Sequence, residues 1–364
     1  MTTPVKRWKP ASYDEPDITL TPDAELWAEA EWNAGLMMPV SYYAMMENSL
    51  RKYQGLSSEQ HRDETSSLWK NFSEIAVSDD NAWDRTRYSH RDIRDSSSIN
   101  RMIAFPYTKR HNSNWHVDQA AGLIFCSIGK ARALGTSERR WVYPLSGTES
   151  NHSTVMSQRA QLHRNPAVRL VTERALTLAN KRIDNINFID FYSCFPVAVR
   201  IQAVELGLPL MGNYSLTGGM TFGGGPLNNY ALQALVCVAE KLREHPKASA
   251  YVSSLSGMMT KYGASVWTGS APSRPFRFAD VSAEVASADP GVALLENAEG
   301  IALIVAYTIN FGKDAQGEEM PQRAIVVCDI DARRAVAFSE EADVMQRMMQ
   351  DARCMRSIVS RKSC

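Results

Sequence analysis

Between residues 116 and 268, strand-like apolar runs alternate with stretches of helical apolar spacing. Residues 187–191 and 250–255 are short, largely apolar runs of the length typical of buried strands. Residues 196–206 and 230–240 instead repeat their apolar side chains at helical intervals. This alternation predicts a layered α/β core built on a parallel or mixed sheet.

The part of the chain before this core has a helical pattern. Residues 42–53 and 57–77 are expected to form helices, the second with Ser57 as its N-cap. The first strand of the core is predicted at 116–126, and a helix is expected to follow it. We interpret residues 1–115 as an extended lead-in and a helical region that precede the core.

Beyond a stretch rich in proline and serine at 269–276, alternating and β-branched positions replace the helical spacing. Consecutive antiparallel strands are predicted at 301–311, 322–330 and 334–339. Residues 341–354 are expected to form a helix that packs on them through methionines. The predicted boundaries are 116–271 for the α/β core and 272–364 for a small, β-rich, OB-like domain.

Charge and cysteine usage narrow the class of protein. The chain has 40 basic and 40 acidic side chains, so its formal net charge is zero and nothing favours nucleic acid or an anionic membrane as partner. No apolar run approaches the length of a membrane span. Six cysteines are scattered without Cys-x-x-Cys pairing, which indicates reduced thiols in a cytoplasmic protein. His111 and His116 have no carboxylate or thiol at ligand spacing, so we predict no metal site.

Candidate chemistry is concentrated where strand-like runs pass into helix-like runs. Tyr192, Ser193 and Cys194 form such a corner, and a glycine-dense turn lies at 218–225. Open α/β sheets gather backbone N–H groups around a ligand at such points, and glycines permit positive φ and close approach. The turn matches neither a Walker loop nor a Rossmann fingerprint. Together with a third loop at 256–263, these segments are predicted to converge on one crevice.

The order of the corner, a Gly-Gly-x-x-x-Gly-Gly-Gly-Pro turn and the last glycine loop resembles the C-terminal half of a thiolase. Over most of its length the chain is similar to the sterol-carrier-type, acetyl-CoA acetyltransferase-like branch. Residues 118–127 resemble the strand that closes the N-terminal half, and residues 101–109 resemble the loop domain over the CoA site. The resemblance implies a thiolase-like layered α/β core whose N-terminal half is incomplete.

The resemblance also implies a coenzyme A thioester as substrate or ligand, with no covalently bound cofactor. Amides of the glycine turn would form an oxyanion hole for the thioester carbonyl, and close helix–strand packing is the alternative role of the turn. Lys261 would bind an anionic part of CoA, or it is a solvated loop lysine. The residues implied to bind the carbonyl or CoA are Gly219, Gly224, Gly225, Asn228, Gly257 and Lys261.

The chain departs from the thiolase pattern at its catalytic positions. The Gly-His-Pro histidine is replaced in Gly224-Gly225-Pro226, and residues 254–256 contain no second cysteine. The standard Cys/His/Cys set is therefore absent, and no imidazole is present to hold a nucleophile as thiolate.

Three side chains remain as catalytic candidates. Tyr192 stands where the branch usually has a histidine, and its phenol is either an acid/base group or the partner of a buried carbonyl. Cys194 matches the cysteine of the corner and is either catalytic or a structural thiol. Tyr262 replaces a loop histidine, and a phenol at its usual pKa is mostly protonated at neutral pH.

Two classes of function follow. In the first, the chain is an acyltransferase-like enzyme of lipid metabolism that acts on acyl-CoA thioesters, or a retro-aldol C–C lyase subunit that uses tyrosine as acid/base. In the second, it is a catalytically silent CoA- or lipid-binding subunit. A homodimer, or a partner subunit that completes the core, is expected in either case.

Overall fold

The computed structural model describes residues 25–350 and 356–359, so most of the predicted lead-in and the predicted end of the last helix lie outside the described residues. The α-helices of the described part are α1 (Glu29–Ala34), α2 (Pro39–Gln54), α3 (Ser58–Val77), α4 (His90–Arg94), α5 (Ile128–Ala133), α6 (Pro166–Ala179), α7 (Pro196–Glu205), α8 (Gly219–Phe222), α9 (Tyr230–Glu244), α10 (Ser282–Ala288) and α11 (Ala342–Gln350). The strands are β1 (Met102–Ala104), β2 (Tyr107–Thr108), β3 (Tyr143–Ser150), β4 (Phe188–Asp190), β5 (Ser249–Ser256), β6 (Lys261–Thr268), β7 (Arg277–Asp280), β8 (Gly300–Lys313), β9 (Glu319–Ile330), β10 (Arg333–Ser339) and β11 (Arg356–Val359).

The strands of the central region form a sheet in the order β4-β5-β6-β3-β7, which we call the core sheet. β4 runs parallel to β5, and β3 runs parallel to β7. β5, β6 and β3 are antiparallel neighbours, with Tyr251 opposite Val266. The predicted mixed α/β core is confirmed.

Helices cover both faces of the core sheet. α6 begins at the N-cap Asn165, whose side chain accepts a hydrogen bond from the amide of Ala167, and Pro166 at the first helical position suits this start. Along one face, Thr148 Oγ1 donates to the Val171 carbonyl of α6 at 2.8 Å. On the opposite face, α9 packs against alternate residues of β5 in a separate apolar cluster. The core sheet is therefore a buried layer between helices.

Residues 116–126 differ from their prediction because they form no strand. Their side chains still alternate, with Ala121 and Leu123 half-buried and Ile124 94% exposed. No described strand pairs with this segment, and an extended segment becomes a strand only when a neighbour pairs its N–H and C=O groups. The predicted helix that follows is present as the short α5.

The predicted β-rich C-terminal strands are present, but an OB-like domain is not confirmed. β8, β9 and β10 form an antiparallel sheet that continues into β1 and β2 in the order β10-β9-β8-β1-β2, with β11 also paired to β8. Met345 and Met348 of α11 are buried against this C-terminal sheet. Strands from before and after the core sheet therefore share one layer.

A buried charged cluster ties α2 and α3 to α7. Glu47 accepts hydrogen bonds from Arg200 Nη1 at 2.8 Å and from the Tyr107 hydroxyl, and His61 Nε2 lies 2.7 Å from the same carboxylate. The adjacent guanidinium and His61 hold the pKa of Glu47 at about 2, below its usual range, although burial opposes them. Tyr107 also accepts a hydrogen bond from the Val197 amide in the first turn of α7. The cluster therefore fixes the helix that follows the Tyr192–Cys194 corner.

Candidate functional site

A cavity of about 910 Å³ opens where the three predicted loops meet the start of α2. The corner contributes Tyr192 and Cys194, the glycine turn contributes Gly225 and Asn228, and the β5–β6 loop contributes Gly257. The further lining residues used below are Tyr43, Asp84, Tyr88, Arg101, Lys109, Arg110, Trp115, Met220, Phe222, Leu255 and Met258. The structure therefore brings five of the nine predicted site residues to one crevice.

The corner presents a protonated thiol to the cavity. Cys194 is 7% exposed, and its thiol lies in hydrogen-bond contact with the Tyr43 hydroxyl. Burial raises the pKa of Cys194 to about 12, so the thiolate that a nucleophile requires is scarce at neutral pH. The Tyr43 ring stacks on Phe195 at 4.4 Å between centroids, which holds its hydroxyl beside the thiol. Sequence reasoning missed Tyr43, because it lies more than a hundred residues before the corner.

Tyr192 is half-buried and donates its backbone N–H to Ser253 Oγ at 2.9 Å. Its ring meets Tyr230 edge-on at 5.5 Å between centroids, and burial raises the pKa of its phenol above the usual value. At neutral pH the phenol is therefore a proton donor, and its hydroxyl makes no hydrogen bond to another described residue. The geometry leaves this hydroxyl available to a substrate oxygen.

Amides of the glycine turn are hydrogen-bonded to neighbouring segments of the protein. The N–H of Gly219 donates to Ser215 Oγ at 2.9 Å, and the N–H of Gly225 donates to the Asn114 carbonyl at 2.9 Å. A Cβ on Gly219 would lie 2.5 Å from the Phe72 ring, and one on Gly224 would lie 1.9 Å from Gln119 Oε1. Gly219 and Gly224 do not line the cavity. The glycines of this turn allow close packing, which was the alternative reading of the motif.

A buried carboxyl holds the glycine turn against the corner. Asp190 accepts hydrogen bonds from the Leu216 amide at 2.8 Å and from the Tyr230 hydroxyl at 3.1 Å. The Tyr230 hydroxyl also lies 3.1 Å from Ser193 Oγ, which accepts the Met220 amide at 3.2 Å. Burial raises the pKa of Asp190 to about 7. One network therefore joins the end of β4, the corner and the turn.

The β5–β6 loop has a different character. Gly257, Met258 and Met259 have φ values of 55°, 54° and 62°, a left-handed run that non-glycine residues rarely adopt. Gly257 and Met258 line the cavity, and their N–H groups donate no backbone hydrogen bond within the described residues. Their amides are therefore free to bind a carbonyl oxygen.

The two predicted residues that follow this loop lie elsewhere. Lys261, at the start of β6, is half-exposed and does not line the cavity. Tyr262 is 2% exposed and donates its hydroxyl to Gln202 Oε1 at 2.8 Å, next to the Tyr251 hydroxyl at 3.1 Å. Because side chains alternate along β6, Tyr262 points into the core layer beneath α6. Tyr262 therefore does not share the cavity with the Tyr192 side chain, although Gln202, which accepts from the Tyr262 hydroxyl, also donates to the Tyr192 carbonyl at 3.1 Å.

Three cations at the cavity were not singled out from the sequence. Arg101, Lys109 and Arg110 line it, and none of them forms an ion pair with a carboxylate among the described residues. The Arg110 guanidinium lies 4.3 Å from the centre of the Tyr88 ring, while the Tyr88 hydroxyl donates to Asp84 at 2.9 Å. The sequence signal that could have found them is the basic character of the segment between α3 and β3. The tertiary structure places three of its cations at the opening of the cavity.

Within residues 25–350 and 356–359, no group of three histidine, cysteine or acidic side chains has the arrangement of a metal site. The described cysteines Cys126, Cys194, Cys237 and Cys328 are free thiols. In the same part of the chain, no helix combines the length and the apolar composition that crossing a membrane requires.

No protein-family model matches the chain, and a comparison with curated proteins gives no match. Solved structures do match. A monomeric SCP2-thiolase-like protein type 1 from Mycobacterium smegmatis is 25% identical with a TM-score of 0.79, over 92% of this chain and 72% of that one. The chain has a thiolase-like fold.

Two further solved structures match the chain with lower scores. The Ltp2-ChsH2(DUF35) aldolase is 15% identical with a TM-score of 0.51, over 65% of each chain. The dimeric peroxisomal thiolase of Saccharomyces cerevisiae is 14% identical with a TM-score of 0.44, over 62% of this chain and 58% of that one. The comparison with the Mycobacterium smegmatis protein confirms the predicted thiolase-like α/β fold.

Proposed function

We propose that this protein binds acyl-CoA thioesters in the cavity and acts on them in cytoplasmic lipid metabolism. The observation that carries the proposal is the pairing of two surfaces in one cavity. Met220, Phe222 and Leu255 offer apolar contact to an acyl chain. Arg101, Lys109 and Arg110, which form no ion pair with a carboxylate among the described residues, suit the phosphates of CoA.

The chemistry follows from the protonation states. The amides of Gly257 and Met258 donate hydrogen bonds to the thioester carbonyl and form the oxyanion hole. The Tyr192 phenol gives a proton to a substrate oxygen or takes it back. The Cys194 thiol is protonated at neutral pH, so it is a poor acceptor for an acyl group. Acyl transfer through a cysteine thiolate is therefore disfavoured.

A retro-aldol C–C cleavage is the second candidate reaction. It requires proton transfer at a hydroxyl or carbonyl oxygen and no acyl-accepting thiolate, which suits Tyr192 in a cavity with a protonated Cys194. The aldolase of similar fold makes this chemistry compatible with the architecture. If the wild-type protein binds acyl-CoA but catalyses neither reaction, we infer that it is a ligand-binding subunit without catalytic activity.

Calorimetric titration with acetyl-CoA, a longer acyl-CoA and free CoA tests binding. Replacing Arg101, Lys109 and Arg110 together by glutamine is expected to weaken acyl-CoA binding by at least about tenfold, and the effect should shrink at high salt. The matched control replaces three exposed cations outside the cavity, Arg169, Arg182 and Lys241. Equal affinity of both triple variants, or no binding by the wild type, overturns the proposal.

Turnover is tested with Tyr192→Phe, which removes only the hydroxyl. Thiolysis and retro-aldol cleavage are assayed in parallel with wild type, and we expect Tyr192→Phe to lose turnover while it binds acyl-CoA within about threefold of wild type. Tyr262→Phe is the control, because its hydroxyl is used inside the core. Binding without turnover by the wild type identifies a silent subunit.

We also propose that a second polypeptide, or a second copy, completes the core beside residues 116–126. This segment is extended, has alternating side chains and pairs with no strand among the described residues. Ile124→Lys on the exposed side should weaken the association seen by light scattering without changing the melting temperature, because Ile124 is 94% exposed. A wild type that stays monomeric at every concentration tested, alone and with acyl-CoA, argues against self-association.

A further inference from the structure

A buried guanidinium lies behind the β5–β6 loop. Arg159 is 4% exposed and forms no ion pair with a carboxylate among the described residues. Its Nη2 donates to the Met258 carbonyl at 2.7 Å, its Nε to the Thr154 carbonyl at 3.3 Å, and its Nη1 to Met46 Sδ at 3.4 Å. An arginine stays charged even where burial lowers its pKa, so these carbonyls are what stabilises the cation.

The carbonyl bound most closely by Arg159 belongs to the strained part of the loop. Met258 and Met259 are non-glycine residues at φ values of 54° and 62°, and such a conformation persists only where surrounding groups hold it. Asn165 Nδ2 donates to the Met259 carbonyl at 2.8 Å. Two side chains from the segment between β3 and α6 therefore bind the two successive carbonyls of the left-handed pair.

These carbonyl contacts determine which way the peptides of the loop face. A peptide unit is planar with its N–H opposite its C=O, so binding the Met258 carbonyl to Arg159 fixes the Met258–Met259 peptide and turns the Met259 N–H away from Arg159. Because Met258 is held at a φ of 54°, the orientation of the preceding peptide, which carries the Met258 N–H, is set as well. Arg159 also interacts electrostatically with Tyr43, which contacts the Cys194 thiol on the same cavity. Asp289 and Glu31 are the acidic groups that act on Arg159 from a longer distance.

We propose that Arg159 is a positioning residue that, with Asn165, holds the Gly257–Met259 loop in the left-handed conformation that presents its amides to the ligand. The loop part of the inference depends only on the contacts above. The ligand part rests on the proposed acyl-CoA function. Arg159 acts through the loop, since it does not itself line the cavity.

The first test needs no ligand. Hydrogen exchange of the Thr260 amide, which donates to the Ser256 and Gly257 carbonyls across the loop, is compared in wild type, Arg159→Met and Arg159→Lys. We expect at least about tenfold faster exchange in Arg159→Met, with α9 unchanged, and an intermediate rate in Arg159→Lys, because a lysine cannot reproduce the three-way fork. Arg169→Met, on the exposed side of α6, is the control. Unchanged exchange at the loop, or an equal increase over the whole chain, overturns the proposal.

Asn165→Ser keeps the test available if Arg159→Met does not fold. Serine retains an oxygen that can cap α6, but it lacks the Nδ2 group and its shorter side chain does not reach the Met259 carbonyl, so faster exchange should again be confined to the loop. Wild-type exchange of the Thr260 amide in a folded Asn165→Ser protein contradicts the two-carbonyl arrangement.

The second test measures affinity. Arg159→Met should weaken acyl-CoA binding by about tenfold while binding of adenosine 3′,5′-bisphosphate, a probe of the cationic residues alone, stays within about twofold. Equal weakening of both ligands overturns the ligand part. If wild type binds neither ligand, the proposed function fails, and hydrogen exchange alone decides the role of Arg159.

Discussion

The glycine turn and the β5–β6 loop border the same cavity but use the backbone in opposite ways. In the turn, the amides of Gly219 and Gly225 are bonded within the protein, and the missing Cβ atoms make room for Phe72 and Gln119. In the loop, Met258 takes a left-handed conformation without being glycine, and the amides of Gly257 and Met258 have no backbone partner among the described residues. In the turn, the dense glycines therefore indicate close packing. In the β5–β6 loop, the strained backbone at non-glycine residues indicates the surface that is open to a ligand.

The largest expected effect tests the network beneath the turn. Asp190 has a pKa of about 7 in the folded protein and about 3.9 when unfolded, so between these values the unfolded chain binds fewer protons. Stability should therefore be highest near pH 4 for this group and fall as pH rises toward 7, by at most about 4 kcal/mol. Urea unfolding of wild type and Asp190→Asn at several pH values measures it.

Asp190→Asn should remove that fall, because asparagine does not titrate. Asp184→Asn, at an exposed carboxyl, serves as the control and should keep the wild-type slope. Parallel slopes for Asp190→Asn and wild type between pH 4 and pH 7 show that the turn is not supported by a proton-sensitive network.

The second prediction concerns the packing of the turn. Gly219→Ala should lower the free energy of unfolding by about 3 kcal/mol, because it adds both a positive-φ penalty and a clash with Phe72. Gly55→Ala is matched to it, since Gly55 has a φ of 70°, Gly219 has a φ of 71°, and nothing lies within 4 Å of a Cβ at Gly55. Its expected cost is about 1 kcal/mol, measured by urea unfolding. Equal costs contradict the packing role.

A third, smaller effect is expected where the extended segment touches the turn. Gln119 Nε2 donates to the Gly223 carbonyl at 2.8 Å and to the Asn81 carbonyl at 2.9 Å. Gln119→Ala should cost about 1–2 kcal/mol in urea unfolding, because two carbonyls lose their donor. Gln316→Ala, in the exposed β8–β9 hairpin, should cost nothing measurable. A neutral Gln119→Ala indicates that water replaces the side chain.

The smallest stability change is expected in the loop. Met258→Gly removes the backbone strain of the folded loop but raises the conformational entropy of the unfolded chain. These two effects oppose each other, so the free energy of unfolding should change by less than about 1 kcal/mol. Acyl-CoA affinity, measured by calorimetry, should nevertheless fall about fivefold, because a freely moving loop must be ordered on binding. Asp331→Gly, at a φ of 48° outside the cavity, is the control for affinity. Unchanged affinity in Met258→Gly removes the distinction between loop and turn.

Local patterns predicted the elements of the core with small errors at their ends. α6 runs from Pro166 to Ala179 between the caps Asn165 and Asn180, and α7 begins at Pro196, each where the residues themselves favour a helix boundary. The strand expected at 116–126 did not form, because alternation of side chains specifies which side faces inward but supplies no partner for the backbone.

The sequence by itself determined the order of strands and helices, the glycine turn and the resemblance to thiolases, because these depend on periodicity and motif. Only tertiary structure separated Tyr192, whose side chain reaches the cavity, from Tyr262, whose hydroxyl is bonded in the core. It also brought Tyr43 and Arg159 to the corner and the loop from distant parts of the chain. The physical reason is that burial, hydrogen-bond partners and pKa depend on three-dimensional neighbours, which residue spacing along the chain does not encode.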